Sequence, residues 1–165
     1  ILWAPWRMPY IKGLSEKHDC FLCHHINDTE NDRENLVVWR TPNTIVVMNR
    51  FPYNNGHLLI APKKHIADID QATDEEMLEM LKVIAACKKL LTSSVNPDGF
   101  NVGLNLGRCA GAGLPDHMHF HLVPRWNGDT NFMSTCAETK VISQSMNQLY
   151  DIMQKVSQEQ NLPGL

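Results

Sequence analysis

The sequence predicts an α+β fold: an antiparallel sheet of about five short strands, one main crossover helix and a C-terminal helical segment. Three observations carry this. Short β-branched or alternating stretches recur between Pro, Asn and Gly turn signals. One long segment places apolar residues at helical spacing behind a capping signal. No glycine-rich loop follows a strand in the dinucleotide or P-loop pattern, which argues against the parallel nucleotide-binding folds. The 165 residues favour one domain over the whole length.

In chain order, residues 1–19 read as an irregular arm. Trp3, Trp6, Met8 and Tyr10 give it apolar weight and imply packing onto its own domain or a partner subunit. Residues 35–40 (NLVVWR) and 44–48 (TIVVM) are β-branched and flank Thr41-Pro42-Asn43, a hairpin pattern. Residues 49–56 form a loop rich in Asn, Pro and Gly, and 57–61 the next strand, ended by Pro62. Thr73 and Glu76 form a capping box. Met77, Leu78, Leu81, Ile84, Ala85 and Lys88 then predict one stripe on a helix running to about Ser93. Phe100, Val102, Leu104 and Leu106 alternate with Asn101, Gly103 and Asn105, as in a half-buried strand. A glycine-rich loop (107–115) leads to a strand at 117–123. Met146, Leu149, Tyr150, Met153 and Val156 mark a helix within the segment 140–165.

Composition narrows the function classes. Hydrophobic residues at 43% and charged residues at 20% are an ordinary globular balance. A net charge of −3 offers no broad basic face for nucleic acid. No apolar run approaches the ~18–20 residues of a membrane helix, and the opening segment lacks a secretory pattern. Five cysteines with a single close pair do not resemble a disulfide framework, so a reducing cytoplasm is expected.

The decisive segment is His117-Met118-His119-Phe120-His121-Leu122-Val123-Pro124. In an extended chain side chains alternate, so the three imidazoles share one face while Met118, Phe120 and Leu122 face the core. Successive imidazoles lie about 7 Å apart, a row that can reach neighbouring atoms of one polyphosphate. The pattern resembles the histidine triad (HIT) superfamily of nucleotide hydrolases and transferases. The opening residues 2–8 and the tail Pro124-Arg125-Trp126-Asn127-Gly128-Asp129-Thr130-Asn131-Phe132-Met133 are similar to its bacterial diadenosine tetraphosphate phosphorylase (ATP adenylyltransferase) branch.

The resemblance implies a HIT-like fold, a homodimer with sheets extended across the interface, and cleavage of a dinucleoside polyphosphate at the α-phosphorus. His119 is then the nucleophile, forming a nucleotidyl-histidine, and His121 stabilises phosphoryl charge. Phosphate or water is the second acceptor. Hydrolysis of purine nucleoside phosphoramidates, and a nucleotide-binding module of weak turnover, are the competing functions. His57 either approaches the row or is a hydrogen-bonded structural histidine. By position, Asn49 matches the ribose-binding residue, Asn105 a phosphate contact, and Phe21 and Leu22 the base pocket; core packing suits Phe21 and Leu22 equally. Many superfamily members carry Gln and then Ser or Thr where Gly113 and Leu114 stand here. Amides of Gly111, Ala112 and Gly113 could replace those side chains, or the glycines could simply make a tight turn.

Cys20-Phe21-Leu22-Cys23 has the spacing of half a tetrahedral zinc site. His18, His24, His25, His65 and His117 are candidate partners. The resemblance selects His65 and His117, giving Cys20, Cys23, His65 and His117 as a structural zinc site; a reduced, metal-free pair is the alternative.

Overall fold

Strands β1 (Val37–Arg40), β2 (Thr44–Met48), β3 (Leu58–Pro62), β4 (Gly99–Leu104) and β5 (Phe120–Arg125) form one antiparallel sheet in the order β1-β2-β3-β5-β4. This computed structural model describes residues 20–130, 142 and 144–160. The expected N-terminal arm, His18, Cys136 and residues 131–133 of the tail motif lie outside the described residues. Helix α1 (Phe21–Asn27) covers one face of the sheet, and α2 (Asp74–Val95) and α3 (Met146–Gln160) cover the other. Strand β2 is buried on both sides for this reason. Ile45 and Val47 pack with Leu22 of α1, while Val46 and Met48 join the larger core under α2 and α3. Among the described residues no helix is long and apolar enough to cross a membrane.

The capping box forms as expected. The Glu76 amide donates to Thr73 Oγ1 at 3.2 Å, and the Thr73 amide donates to Glu76 Oε2 at 2.8 Å. The helix runs to Val95 and ends on Asn96 in the left-handed region. Its buried line differs from the expected stripe. Met80, Val83, Ile84, Cys87, Leu90 and Leu91 face the core, with Met77 partly buried, whereas Leu78 and Leu81 are each 53% exposed and Ala85 and Lys88 face outward. Apolar residues are dense enough here to offer two neighbouring lines, and the one that continues unbroken to Leu91 is the one that packs.

Two strand boundaries also differ. Strand β4 stops at Leu104, and because β4 is a sheet edge Val102 is 51% exposed. Pairing in β5 begins only at Phe120. The amides ahead of it bond elsewhere, Met118 to the Ile66 carbonyl at 2.7 Å and His117 to the Leu114 carbonyl at 3.4 Å. The alternation of faces nevertheless holds, with Met118 and Leu122 in the main core. On the far edge a register shift separates Val37 from Trp39, and α3 accommodates it: Tyr150 donates to the Val37 carbonyl and Gln154 to the Val38 carbonyl, each at 3.1 Å.

Gly56, in the loop before β3, needs to be glycine. Its φ is +75°, and an added Cβ would come within 3.1 Å of Leu91 and 3.2 Å of Pro124. The close approach lets the loop of residues 49–57 lie against the C-terminal half of β5, beside the histidine row.

Candidate functional site: a histidine row beside a cysteine–histidine cluster

The His119 side chain is mostly buried, and its Nδ1 lies 2.9 Å from the His117 carbonyl. A carbonyl only accepts, so Nδ1 carries the proton and Nε2 keeps the lone pair. Burial lowers the His119 pKa below its usual value, opposed in part by that same hydrogen bond. The ring is therefore neutral near pH 7, the form a nucleophile requires.

A second chain of hydrogen bonds fixes the tautomers of His57 and His121. The Tyr53 backbone amide donates to His57 Nδ1 at 3.0 Å. The Asn49 amide nitrogen lies 3.2 Å from the same atom, while its oxygen accepts from the Phe51 amide at 2.9 Å. With Nδ1 accepting, His57 carries its proton on Nε2, which points at His121 Nδ1 at 2.9 Å. His121 in turn bears its proton on Nε2; Asn105 Nδ2 lies 3.4 Å from that atom, and a half-turn of the amide would present its oxygen to the proton instead. His121 lies between His119 and His57, at ring-centroid distances of 5.0 and 5.1 Å. Of the alternatives left open for His57, the structure has both. It is buried and hydrogen-bonded, and it reaches the row.

The glycine-rich loop differs from an array of free amides. The Gly111 amide donates to the Arg108 carbonyl at 3.0 Å, and the Ala112 amide to the Gly107 carbonyl at 3.3 Å. Both close a tight turn, with positive φ at Gly107 and Gly111. Gly113 alone of the three makes no such bond among the described residues. Leu114 packs against the small core of Leu22, Val37, Ile45, Val47 and Ala61 and anchors the loop. Leu22 is fully buried in that same core, so its surface is committed to packing and not to a base pocket. Phe21, on the adjoining turn, is 39% exposed.

At the other end of the row the two cysteines meet two histidines. His117 Nδ1 lies 3.2 Å from Cys20 Sγ and 3.5 Å from Cys23 Sγ, and His65 Nδ1 lies 3.1 Å from Cys23 Sγ. All four ligand atoms fall within 4.8 Å of one another. A tetrahedral ion with bonds of about 2.0–2.3 Å needs ligands roughly 3.3–3.8 Å apart, so the donor set suits one ion. His117 Nε2 is 2.8 Å from the Pro62 carbonyl and must donate to it, which leaves Nδ1 with its lone pair towards the sulfurs. Burial pushes the Cys20 thiol up to about 11, a cost that a bound cation would reverse. His24 and His25, the other candidates on α1, lie 3.4 Å from each other through their Nδ1 atoms and are not part of the cluster.

Residues that the sequence did not single out complete the site: the Tyr53 amide and ring and the Pro62 carbonyl. The Tyr53 ring stacks on His121 at 5.6 Å and 24°. Two of these contacts are backbone atoms, which residue type does not reveal.

Residues 30–128 match the model of the HIT domain. The chain belongs to the HIT-domain family. It is 37% identical over 149 residues to an AP-4-A phosphorylase of Mycobacterium tuberculosis, spanning 87% of this chain and 76% of that protein. It is also 32% identical over 108 residues to an adenosine 5'-monophosphoramidase of Schizosaccharomyces pombe, spanning 66% of this HIT chain and 75% of the relative. Among solved structures, a zinc-bound histidine triad family protein from Mycobacterium smegmatis superimposes with a TM-score of 0.70 at 20% identity, covering 87% of this chain and 96% of that one. That likeness supports the fold.

Proposed function

We propose that this HIT chain cleaves dinucleoside polyphosphates, such as diadenosine tetraphosphate, by transferring a nucleotidyl group to His119. The observation that carries this reading is the neutral His119 ring, with Nδ1–H held by the His117 carbonyl and Nε2 unprotonated. In the first step the Nε2–phosphorus bond forms as the bond from the α-phosphorus to the bridging oxygen breaks. The departing polyphosphate oxygen leaves as an anion and accepts a hydrogen bond from the Nε2–H of His121, which keeps its proton. In the second step an oxygen of phosphate dianion, or of a water whose proton passes to solvent, bonds to phosphorus as the Nε2–phosphorus bond breaks and its electron pair returns to His119, giving ADP or AMP. The M. tuberculosis relative, named as a phosphorylase, supports phosphate as the acceptor. Asn105, beside His121, would touch the phosphates, and Phe21, with its exposed ring, would meet a base.

A second reading, hydrolysis of nucleoside phosphoramidates, is favoured by the S. pombe relative. Cys20, Cys23, His65 and His117 would hold zinc as a structural ion, and reducing surroundings keep the cysteines free to bind it. The second copy of a homodimer would extend the sheet at the β4 edge and cover Val102.

Product analysis tests the reading. Diadenosine tetraphosphate with phosphate should give ATP and ADP, whereas water as acceptor gives AMP and ATP. His119→Gly should lower turnover by at least about 10⁴-fold while nucleotide binding persists. Activity of that variant within tenfold of the parent, or no product from either substrate class, would overturn it.

A further inference from the structure

The histidine row does not end at His121. Val123 and Arg125 are the next residues on the same face of β5, about 7 and 14 Å further along the strand. Asn101 of β4 stands opposite Val123 in register. Together with Tyr53, Asn54 and Asp129 they line a cavity of about 270 Å³. The cavity lies on the far side of His121 from the cysteine–histidine cluster, and the Tyr53 ring that stacks on His121 also lines it.

We infer that this cavity is the subsite for the departing nucleoside of a dinucleoside polyphosphate, its base lying against Tyr53 and accepting a hydrogen bond from Asn101. The assignment rests on the proposed nucleotidyl transfer to His119. In that reaction the leaving oxygen accepts a hydrogen bond from His121 Nε2–H, so the leaving group lies on the His121 side of the phosphorus, where the cavity begins.

The lining chemistry selects a neutral, flat ligand over a phosphate. Arg125 is the cation in the cavity wall, and its charge is already matched. Its Nε and Nη2 donate to the two carboxylate oxygens of Asp129 at 2.6 and 2.8 Å, and its Nη1 donates to Asn101 Oδ1 at 2.7 Å. Asp129 also accepts from Asn54 at 2.7 Å and from the Trp126 amide at 3.2 Å. A phosphate would have to compete with that carboxylate for the guanidinium. What the cavity offers instead is an aromatic ring, the apolar Val123 side chain and the Asn101 amide nitrogen. The oxygen of Asn101 is held by Arg125, so the amide is oriented with its N–H groups as the available donors. Purines present a π-face and ring-nitrogen acceptors, which match this set. The volume suits a nucleoside fragment rather than a second whole nucleotide with its phosphates.

The test compares two substrates that share the adenylyl group and differ in what leaves. Diadenosine tetraphosphate sends a nucleoside into the cavity, and adenosine 5'-phosphoramidate sends only ammonia. Val123→Phe fills the cavity, and Asn101→Ala removes the donor; neither residue touches the reacting atoms. For diadenosine tetraphosphate, kcat/KM should fall about tenfold or more in each variant, with phosphoramidate cleavage within twofold of the parent. Equal losses on both substrates, or no loss on diadenosine tetraphosphate, overturn the assignment. Equilibrium binding to His119→Gly separates this from failure of the reaction itself. With that variant, diadenosine tetraphosphate should bind more tightly than AMP, and Asn101→Ala should erase the difference. If the parent turns over neither substrate, the transfer reaction fails while this binding difference still decides the subsite. If diadenosine tetraphosphate binds no better than AMP, the subsite fails whatever the turnover.

Discussion

His57 donates through Nε2 because the Tyr53 amide and Asn49 both approach its Nδ1. The consequence passes to His121, whose Nδ1 must accept and whose Nε2 must therefore carry the proton, the N–H that the proposed transfer turns towards the leaving oxygen. Replacing His57 with Ala removes the partner that selects this tautomer. We expect kcat to fall about tenfold with KM within threefold, because the substrate contacts remain while His121 loses the bond that fixes both its ring and its tautomer. A rise in KM at unchanged kcat would instead make His57 a binding residue. The glycine-rich loop yields a second expectation at this scale. Leu114 occupies a position where superfamily members carry a hydroxyl, but here the side chain packs beneath α1. Leu114→Ser should cost about 1–3 kcal/mol in urea unfolding through lost packing. It should not raise turnover tenfold, since the residue points into a core and not at phosphate; such a gain would show that leaving-group activation limits the enzyme.

At the scale of elements, the loop of residues 49–57 matters most, because it carries Asn49, Tyr53 and His57 to the row and depends on one glycine. Gly56→Ala meets both a left-handed φ and side chains of Leu91 and Pro124 at about 3 Å. The expected loss is about 2–4 kcal/mol of unfolding free energy, the sum of backbone strain and overpacking. A loss below about 0.5 kcal/mol would mean the loop relaxes at little cost. Much of this architecture was legible in the sequence. The alternation His-apolar-His-apolar-His fixed which residues share a face, the Thr73–Glu76 pair marked the start of α2, and the Cys20–Cys23 spacing marked the cluster. The phase of α2 was not legible, because Leu78 and Leu81 satisfy the helical period as well as Met80 and Val83 do. Only the position of the sheet decides between the two lines. The start of β5 was equally hidden, since the amides of His117 and Met118 find partners in Leu114 and Ile66, contacts set by tertiary structure rather than by local pattern. The turn made by Gly111 and Ala112 hides for the same reason: glycine permits both an open amide array and a closed turn.

Across the whole molecule, the cysteine–histidine cluster joins segments far apart in the chain. Cys20 and Cys23 belong to α1 and its cap, His65 to the stretch after β3, and His117 to the approach to β5, with sequence separations of 42 and 94 residues from Cys23 to its two histidine partners. A shared ion would convert these contacts into one closed cross-link whose binding free energy adds to folding. It would also reach the reacting atom, because the His117 carbonyl that holds His119 Nδ1 belongs to a residue whose ring is a ligand. We therefore expect one zinc per chain in carefully purified protein. Both Cys20→Ser and His65→Ala should lose it. Chelation should lower Tm by on the order of 10 °C, given that an ion present at about a thousand times its Kd contributes roughly 4 kcal/mol and each kcal/mol shifts a domain of this size by about 2–4 °C. Turnover should fall together with the metal content and recover when zinc is restored, since such an ion would hold the His117 backbone and take no part in bond making. Stoichiometric zinc retained by both variants would remove these residues as the ligand set. A Tm unmoved by complete chelation would show that the four side chains hold the segments together without an ion.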